Sequence, residues 1–321
     1  MSPMNSQPLL SIVVLTYTDK RLNDLKELLS SVDKQKHVNL ETIIIVERSK
    51  TLLNFVETYS GRYRKRILFT EEKLGVSRAR NIGVDLASGS LVAFVDDDAI
   101  LSPNWGRELT KSFIAYPEII GVTGRSVPLA RSVDLRGFPV SLYWAIGCTS
   151  GRNPVAHLTH FASGTNMAFR REAFDNHRFA LDIIGDSRSR AVIFNGLPND
   201  ENDFAVRLTT ETGRPILFNP NLVVFHKVYP ERTTIGFVSK YSFWQGFAEA
   251  RYRSNDAWKM ARQEKWANSA SLLVTDVLSS RGGLKFSVRR VVLLLIGSLY
   301  LIAGFVTYKS RAQMRRTQTQ S

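Results

Sequence analysis

The sequence predicts an α/β fold with a doubly wound parallel sheet, followed by a C-terminal helical segment that associates with a membrane. Three observations support this prediction. In the first third of the chain, apolar runs of strand length alternate with segments of helical periodicity. The run "LETIIIVE" at 40–47 has no polar alternation, which is typical of a parallel strand covered on both faces. Close to the end of the chain, residues 291–308 form an apolar run without a charged residue.

The predicted elements follow one another in the order of a doubly wound sheet. Short apolar runs give the strands, and helical spacing of apolar or small residues gives the connections. In such a sheet, ligands bind beyond the carboxyl ends of the strands, where Thr16, Tyr17, Glu47 and three aspartates fall. The predicted strands lie at 9–17, 40–47, 64–72 and 89–98, and the predicted helices lie at 22–32 and 75–88.

The second half of the chain is less regular. The long span at 131–198, with scattered glycine, proline and serine, is typical of an acceptor site or a lid. Aromatic residues beside cations at 242–253 suit an amphipathic helix on a membrane, a sugar stacked on Trp244, or core packing, and all three remain open. Further predicted elements are a helix at 104–117, a bent strand at 119–129 and two strand-like runs within 214–227, split at Asn219-Pro220.

The composition is that of a folded chain with a positive excess. Hydrophobic residues make up 44% of the 321 residues, which excludes a disordered chain. The formal net charge of +14 calls for an anionic partner, and scattered basic residues without a binding motif predict lipids or phosphorylated ligands and no nucleic acid. A single cysteine, Cys148, excludes a disulfide framework and a cysteine-based zinc cluster. The polar N-terminus predicts no cleavable signal peptide.

Three aspartates in a row, Asp96, Asp97 and Asp98, end the strand at 89–98. Alternate residues of an extended chain point the same way, so Asp96 and Asp98 are expected to face one site while Asp97 faces elsewhere. Adjacent carboxylates repel each other, and a divalent cation removes that penalty. Hard oxygen ligands favour Mg²⁺ or Mn²⁺, commonly shared with a diphosphate. The alternative is a solvated turn with acidic caps.

A second acidic cluster lies in "PNDENDFAVRL", residues 198–208. A carboxylate in this cluster could act as a general base. The alternative is an acidic helix N-terminus that the helix dipole favours. Asp203 and Arg207 lie about one helical turn apart and are expected to form an ion pair.

The segment "GVSRARNIGVDLASGSLVAFVDDD" at 75–98 resembles the segment that leads into the metal motif of family 2 glycosyltransferases, which have the GT-A fold. The family pattern is an "ARN.G" helix, then "A.G", an apolar strand and a D.D or DDD motif. The first strand, "SIVVLTY", resembles the family's strand that ends near the nucleotide. The resemblance covers residues 10–226 and implies an inverting glycosyltransferase with a nucleotide-diphosphate sugar as donor. The matching positions are Ala79, Arg80, Asn81, Gly83, Ala87, Gly89 and Asp96 to Asp98.

The resemblance also implies roles for individual residues. The cluster at 198–208 resembles the family's "EDVDL..R" motif, whose second acid is the general base, so Glu201 is the predicted base and Asp200 its alternative. In many relatives, a histidine at the position of His226 approaches the metal or the diphosphate. "GTNMAFRR" at 164–171 resembles "G.N.AFRR", which lines the donor-sugar and acceptor pocket. The implied ligands of Mg²⁺ or Mn²⁺ are Asp96, Asp98 and His226, and the implied donor contacts are Thr16, Tyr17, Glu47, Arg80, Asp96, Asp97 and Asn166.

One position departs from the family pattern. After the second strand the family usually has "VVDDGS", in which an aspartate binds the nucleobase, whereas this chain has "IIVERSK". Glu47 can accept a hydrogen bond from a base N–H, and Arg48 brings a cation where the family has an acid. The sequence therefore leaves the donor open between UDP- and GDP-sugars.

The chain also resembles archaeal enzymes that extend glycans on a dolichyl-phosphate carrier, including hexuronic acid transferases; the stretch "LYWAIGCTS" at 142–150 carries part of this likeness. The run at 291–308 is long enough to cross a hydrocarbon core of about 30 Å, and its basic flanks suit phosphate headgroups. The resemblance implies a polyprenyl- or dolichyl-phosphate-linked acceptor and a catalytic domain on the cytoplasmic side of the cell membrane.

We expect a GT-A domain at 1–250 and a helical region at 251–321 with one transmembrane or membrane-embedded segment. A buried core helix is the alternative for 291–308.

Three other functions are alternatives to a transferase acting on a lipid-linked glycan. A glycosyltransferase of the same fold could act on a cell-surface polysaccharide or a protein instead of a lipid-linked glycan. A sugar nucleotidyltransferase would need a glycine-rich, lysine-bearing loop after the first strand, and "LTYTDKRLND" contains no glycine. A binding protein with an inactive site is opposed by the intact Asp96, Asp98 and Glu201.

Overall fold

The structure is a computed structural model that describes residues 7–36, 39–149, 155–181, 199–252, 276 and 283–318. Parts of the predicted irregular span and of the predicted C-terminal region, at 182–198 and 253–275, lie outside the described residues. The chain divides into two compact units. The boundary expected at residue 250 stays a prediction. The first unit comprises Met1–Val127, Asn153–Gly196 and Asp200–His226, and the second comprises Pro128–Arg152, Leu197–Asn199 and Lys227–Ser321.

Nine strands form one mixed sheet within the described residues. They are β1 (Leu9–Thr16), β2 (Asn39–Glu47), β3 (Arg64–Thr70), β4 (Leu91–Asp96), β5 (Ala99–Leu101), β6 (Gly121–Leu129), β7 (His157–Thr159), β8 (Met167–Arg170) and β9 (Ile216–Lys227). Their order is β3-β2-β1-β4-β8-β6-β9-β5, and β7 pairs with β9. The strands β1 to β4 are parallel, whereas β8 is antiparallel to β4. The strand order reverses between β1 and β4, which is where open α/β sheets form a ligand crevice.

Seven α-helices are described, and one of them was not predicted from the sequence. They are α1 (Leu22–Asp33), α2 (Lys50–Thr58), α3 (Val76–Leu86), α4 (Trp105–Ala115), α5 (Asp200–Thr212), α6 (Ile235–Tyr252) and α7 (Gly283–Gln318). The direct passage expected between the second and third strands is wrong, because α2 lies there. Parallel neighbours such as β2 and β3 need a crossover connection, usually a helix. Leu52 and Val56 bury one face of α2, and the Ser49 hydroxyl caps it by accepting from the Leu52 N–H.

Alternate residues of the parallel strands face two separate apolar clusters. On β1, Leu10, Ile12 and Val14 belong to one cluster and Val13 belongs to the other. The strand β4 divides in the same way between Ala93 and Val95 on one face and Phe94 on the other. A sheet covered on both faces is what the continuous apolar runs predict. Rigid central strands therefore support the residues at their carboxyl ends.

The strand β9 is continuous, although the sequence predicts a break at Asn219-Pro220. It pairs with β7 at 216–218 and with β5 at 224–226. Pro220 lies between these two paired stretches, so its missing N–H removes no bond to either strand. The side chain of Asn219 accepts a hydrogen bond from the N–H of Asn221 at 2.9 Å and bridges this position.

In the second unit, α6 and α7 lie side by side. Ser242 is the neighbour of Gly297, and Gly246 is the neighbour of Leu301, so the two helices run in the same direction. A Cβ added at Gly246 would fall 1.9 Å from the carbonyl oxygen of Leu301, which shows how closely the backbones approach. Trp244 is half-buried and lies against the rings of Phe243 and Phe247 on the same helix.

The helix α7 contains the apolar run that the sequence singles out. The stretch Phe286–Met314 is long and apolar enough to cross a membrane, and its most apolar 18-residue window has a mean hydropathy of 2.2. It extends beyond the predicted 291–308 on both sides. Apolar side chains repeat along one exposed face of the helix at spacings of three and four residues. They are Val288, Val291, Leu295, Leu299, Ile302 and Val306.

Candidate active site

The candidate site lies at the carboxyl ends of β1, β2 and β4, within the first unit. The register pairs Leu15 with Asp96 and Thr16 with Val46, so the ends of the three strands are level. The sequence places Thr16, Glu47 and the aspartates at these ends, and the structure brings them to one edge of the sheet. Since the strand order reverses at β1 and β4, the crevice opens directly beside Asp96.

Two aspartates at the end of β4 lie close to a histidine of β9. The short strand β5 pairs with β9, and the pair of Ala99 with His226 brings the imidazole to the aspartates. His226 Nε2 lies 3.2 Å from Oδ1 of Asp98 and 3.8 Å from Oδ2 of Asp96. One ligand atom from each of the three residues lies within 4.8 Å of the others.

The donor chemistry of this group fits a divalent cation. Two carboxylates and an imidazole are ligands that Mg²⁺ and Mn²⁺ accept. Burial and the adjacent carboxylate of Asp98 raise the pKa of Asp96 above its ordinary value. A bound cation would offset the repulsion between the two carboxylates. Asp96, Asp98 and His226 could therefore hold the metal that the sequence predicts.

Asp97 faces away from this group and meets Arg21. The guanidinium donates a hydrogen bond to Oδ1 of Asp97, and its other terminal nitrogen lies 3.1 Å from Oδ2 of Asp98. Burial raises the pKa of Asp97 to about 6, although the charge of Arg21 opposes the shift. Asp97 is buried against this cation, so a salt bridge within the protein occupies the side chain predicted to contact the donor.

A second acidic group begins α5. Asp200, Glu201 and Asp203 all lie in its first turn, where the helix dipole favours negative charge. Asp200 is held by two donors, Arg80 Nη1 at 2.7 Å and the Ser77 hydroxyl at 3.0 Å. The expected ion pair between Asp203 and Arg207 is confirmed, with Nε donating to Oδ2 at 2.9 Å.

Glu201 is the less constrained acid of the pair at the start of α5. Its Oε2 lies 4.0 Å from Arg80 Nη1, beyond hydrogen-bond distance, and its side chain is 20% exposed. Burial and the neighbouring Asp200 raise the pKa of Glu201 to about 8, with Arg80 opposing them. Once ionised, a carboxylate with this pKa is a stronger base than an ordinary glutamate and can take a proton from an acceptor hydroxyl.

Arg80 is buried and fixed between the acidic groups. Its guanidinium stacks 5.3 Å from the ring centroid of Phe179. Burial would lower the pKa of Arg80, but the carboxylates of Asp200, Glu201 and Asp96 outweigh it and hold the pKa above its ordinary value. Gly164 makes room for this side chain, because a Cβ there would fall 2.9 Å from Arg80 Nη2.

The remaining predicted donor residues differ in accessibility. Tyr17 is 47% exposed at the rim, with the guanidinium of Arg21 5.8 Å from its ring centroid. Thr16 is buried at the end of β1. Glu47 is buried, and its Oε2 accepts the N–H of Leu74 at 3.3 Å; burial raises its pKa. Glu47 thus ties the end of β2 to the loop before α3, where the N–H groups of Leu74 and Gly75 both bind its carboxylate.

Asn166 is enclosed in the protein. Its Oδ1 accepts from the Trp105 indole at 2.8 Å, and its Nδ2 donates to the carbonyls of Arg125 and Leu222 at 3.0 and 2.8 Å. These bonds join α4, β6 and β9 around the start of β8. The arrangement favours a positioning role for Asn166 over the direct donor contact that the sequence predicts.

Three residues of the site escaped the sequence prediction, namely Arg21, Ser77 and Gly164. Ser77 lies in "GVSRARN", one turn before Arg80 on the same face of α3, so helical spacing could have indicated it. Gly164 matches the glycine of the pattern "G.N.AFRR", but it was assigned no role of its own from the sequence. Arg21 ends a short turn beside Lys20, and its acidic partners Asp97 and Asp98 are distant in the sequence, Asp97 by 76 positions.

The chain is similar to known glycosyltransferases. The model of glycosyl transferase family 2 matches residues 11–178. The chain is 29% identical over 245 residues to the glucosyl-dolichyl phosphate glucuronosyltransferase of Haloferax volcanii, covering 74% of this chain and 75% of that protein.

Solved structures show the same fold. The mannosyltransferase PcManGT from Pyrobaculum calidifontis, in complex with GDP-Man and Mn²⁺, has a TM-score of 0.60 and 16% identity, covering 94% of this chain and 87% of its own. TarS 1-349 of S. aureus, in complex with UDP-GlcNAc, has a TM-score of 0.52 and 15% identity, covering 95% and 91%. The predicted α/β fold of the GT-A type, with an apolar C-terminal helix, is confirmed.

Proposed function

The chain belongs to glycosyl transferase family 2, and from this premise we propose that it is a metal-dependent inverting transferase acting on a lipid-linked acceptor. The donor is a nucleotide-activated sugar, a UDP- or GDP-sugar. The acceptor is a glycan or sugar on a polyprenyl or dolichyl phosphate, and the transferred sugar is a hexuronic acid or a hexose.

The observation that carries this proposal is the convergence of two acidic groups on Arg80. Asp200 and Glu201 approach Arg80 from the start of α5. The charge of Asp96, from the end of β4, acts on the same guanidinium. A transfer with inversion needs a base on one side of the anomeric carbon and stabilisation of the leaving group on the other, and two separate acidic groups supply both.

Glu201 is proposed as the base. Its carboxylate takes the proton of the acceptor hydroxyl while the hydroxyl oxygen forms a bond to the anomeric carbon. The bond from that carbon to the diphosphate oxygen breaks, and the nucleoside diphosphate leaves with the electron pair. Asp200 is already engaged by Arg80 and Ser77, so it is better placed to hold the start of α5 than to accept this proton.

The donor side is assigned to the ends of β1, β2 and β4. Asp96, Asp98 and His226 would hold Mg²⁺ or Mn²⁺, which supplies positive charge against the diphosphate when bound. Thr16, Tyr17 and Glu47 border the crevice where the nucleoside is expected. Arg80 lies between the acidic groups and can orient the diphosphate or the sugar.

The lipid-linked acceptor is supported by two observations. The relative from Haloferax volcanii is named for activity on glucosyl-dolichyl phosphate. The helix α7 is apolar enough to enter a membrane, where a polyprenyl chain is held. Since nucleotide sugars are made in the cytosol, we propose that the chain sits at the cell membrane with its first unit on the cytoplasmic side.

The proposal is tested by turnover. Purified protein in detergent receives a panel of UDP- and GDP-sugars, Mn²⁺ and a polyprenyl-phosphate lipid extract, and nucleoside diphosphate release and labelled lipid are both measured. We expect lipid-dependent release that falls about 100-fold or more in Glu201→Gln. Glu211→Gln, an exposed carboxyl on the same helix, is the matched control and should keep wild-type activity.

Each other outcome has a definite meaning. If the enzyme transfers sugar to a polysaccharide or a protein in the absence of lipid, the proposed lipid-linked acceptor is wrong and the chain is a cell-surface or protein glycosyltransferase. Loss of activity in Asp200→Asn with full activity in Glu201→Gln would move the base to Asp200. If no donor turns over, the assignment as an active transferase is wrong.

A further inference from the structure

Arg21 is the cation that contacts the acidic triplet from outside the family motif. It ends the short 3₁₀ turn Asp19–Arg21, between β1 and α1. Its side chain is 17% exposed, whereas the side chains of Asp97 and Asp98 are each 1% exposed. One terminal nitrogen donates to Asp97 and the other lies 3.1 Å from Oδ2 of Asp98. The guanidinium thus bridges two adjacent carboxylates with its planar fork.

The two oxygens of Asp98 have different neighbours. Oδ2 is 3.1 Å from Arg21 Nη2, and Oδ1 is 3.2 Å from His226 Nε2. The ion pair between Arg21 and Oδ2 restricts the rotation of the Asp98 carboxylate about its last bond. The other oxygen, Oδ1, is the one that lies toward His226.

We propose that Arg21 is a positioning residue for the metal site, which fixes Asp98 so that Oδ1 alone faces the cation. The inference rests on the proposed function, because it takes Asp96, Asp98 and His226 as the metal-binding group. Arg21 does not touch the metal in this arrangement; it acts through Asp98.

The same contact also sets the charge of the site. Arg21 pairs with Asp97 and so withdraws that carboxylate from the metal-binding group. Three ionised aspartates and one guanidinium have a combined charge of −2. One divalent cation neutralises this charge. Burying the Asp97 carboxylate without a cationic partner would cost free energy of folding. Arg21 offsets this cost, so three consecutive aspartates can lie beside one metal ion.

Two physical roles of Arg21 predict different results for its lysine variant. If only the charge matters, Arg21→Lys keeps it and binds metal like the wild type. If the bridging fork matters, lysine fails, because a single ammonium is a point charge and does not match two carboxylates at fixed positions. A cation that merely competes with the metal would give tighter metal binding when it is removed.

The test is Mn²⁺ binding to full-length protein without donor, measured by the loss of the free Mn²⁺ signal in electron paramagnetic resonance. We expect about tenfold weaker binding in both Arg21→Lys and Arg21→Met, because loss of a residue that holds a metal ligand costs about 10–100-fold in affinity. Asp98→Ala should abolish binding. Arg64→Met removes an exposed arginine at the opposite end of the sheet and should bind Mn²⁺ like the wild type. Melting temperatures of all variants show whether each one folds.

Several results would overturn the inference. They are wild-type affinity in a folded Arg21→Lys, tighter binding in Arg21→Met, or no Mn²⁺ binding by the wild type. Failure of the proposed function is distinguishable, since a wild type that binds Mn²⁺ through Asp98 but transfers no sugar would refute the transferase reaction and leave the role of Arg21 standing. If Arg21→Lys does not fold, Arg21→Gln, which keeps a planar donor, is measured in its place under the same criterion.

Discussion

The guanidinium of Arg80 donates a hydrogen bond to Asp200 at 2.7 Å, although the two residues are 120 positions apart in the chain. This bond fixes the first residue of α5 to the middle of α3. Glu201, the next residue, is left 4.0 Å from the same nitrogen and partly exposed. The pair therefore has one carboxylate bound by Arg80 and one that lies beyond hydrogen-bond distance of Arg80 and is partly exposed.

The pH dependence of activity should report Glu201. Its pKa is raised to about 8, and only the ionised form can accept a proton. Sugar transfer should therefore be weak in acid, rise about tenfold per pH unit between pH 6 and 7, and level off above pH 8. The measurement is kcat/KM against pH for the donor, which reports ionisations of the free enzyme. A profile that is flat from pH 6 to 9 would contradict Glu201 as the base.

Arg80→Met should move that profile to higher pH. The positive charge of Arg80 favours the ionised form of Glu201, so removing it raises the pKa of Glu201 further. The loss of activity should then be larger at pH 7 than at pH 9. A merely structural loss would lower kcat/KM by the same factor at both pH values, so the ratio of the two rates is the measurement.

Gly164→Ala should reduce turnover without unfolding the protein. The new Cβ would fall 2.9 Å from Arg80 Nη2, which must shift, and 3.4 Å from the carboxyl carbon of Glu201, which it would contact. Displacement of a catalytic group by about 1 Å costs about 100-fold in rate. The neighbours are ends of side chains, so the melting temperature should change little. Gly236→Ala, where no atom lies within 4 Å, is the control and should leave both values unchanged.

Removal of metal should abolish activity. EDTA should reduce turnover to background, and Mn²⁺ or Mg²⁺ should restore it, because Asp96, Asp98 and His226 are proposed to hold the cation. His226→Gln should raise the Mn²⁺ concentration needed for half-maximal activity by about tenfold or more. His177→Gln replaces a histidine that pairs with Glu211 and serves as the control. Full activity of the wild type in EDTA would remove the metal from the reaction.

The parallel strands could be predicted because a buried strand is encoded by a short run of consecutive apolar residues. Continuous apolar runs gave β1, β2 and β4, and the polar residues after each run marked the edge where the site lies. The alternation of an extended chain also predicted that Asp96 and Asp98 face one site without Asp97, and the group of Asp96, Asp98 and His226 agrees. The missing helix α2 could have been anticipated from the parallel pairing of the strands it joins.

Contacts between distant segments could not be predicted in this way. Periodicity does not show that Arg21 contacts Asp97, 76 positions away. It also does not show that the side chain of Asn166 forms hydrogen bonds with Trp105 and two backbone carbonyls. The continuity of β9 through Pro220 also depends on which strands lie beside it. The family resemblance named Asn166 by position, whereas its bonds are decided by packing.

The exposed apolar face of α7 should decide membrane attachment. Leu295 is 66% exposed near the middle of this face, where a bilayer would surround it. A charged residue at the centre of a membrane helix costs about 2.5–3.5 kcal/mol, so Leu295→Arg should shift the protein from the membrane fraction to the soluble fraction after cell lysis. Ser310→Arg adds the same charge on the same helix beside Lys309 and Arg311, at the level of headgroups, and should stay with the membrane. If Leu295→Arg remains in the membrane fraction as the wild type does, this face of α7 does not contact lipid and another surface must attach the chain.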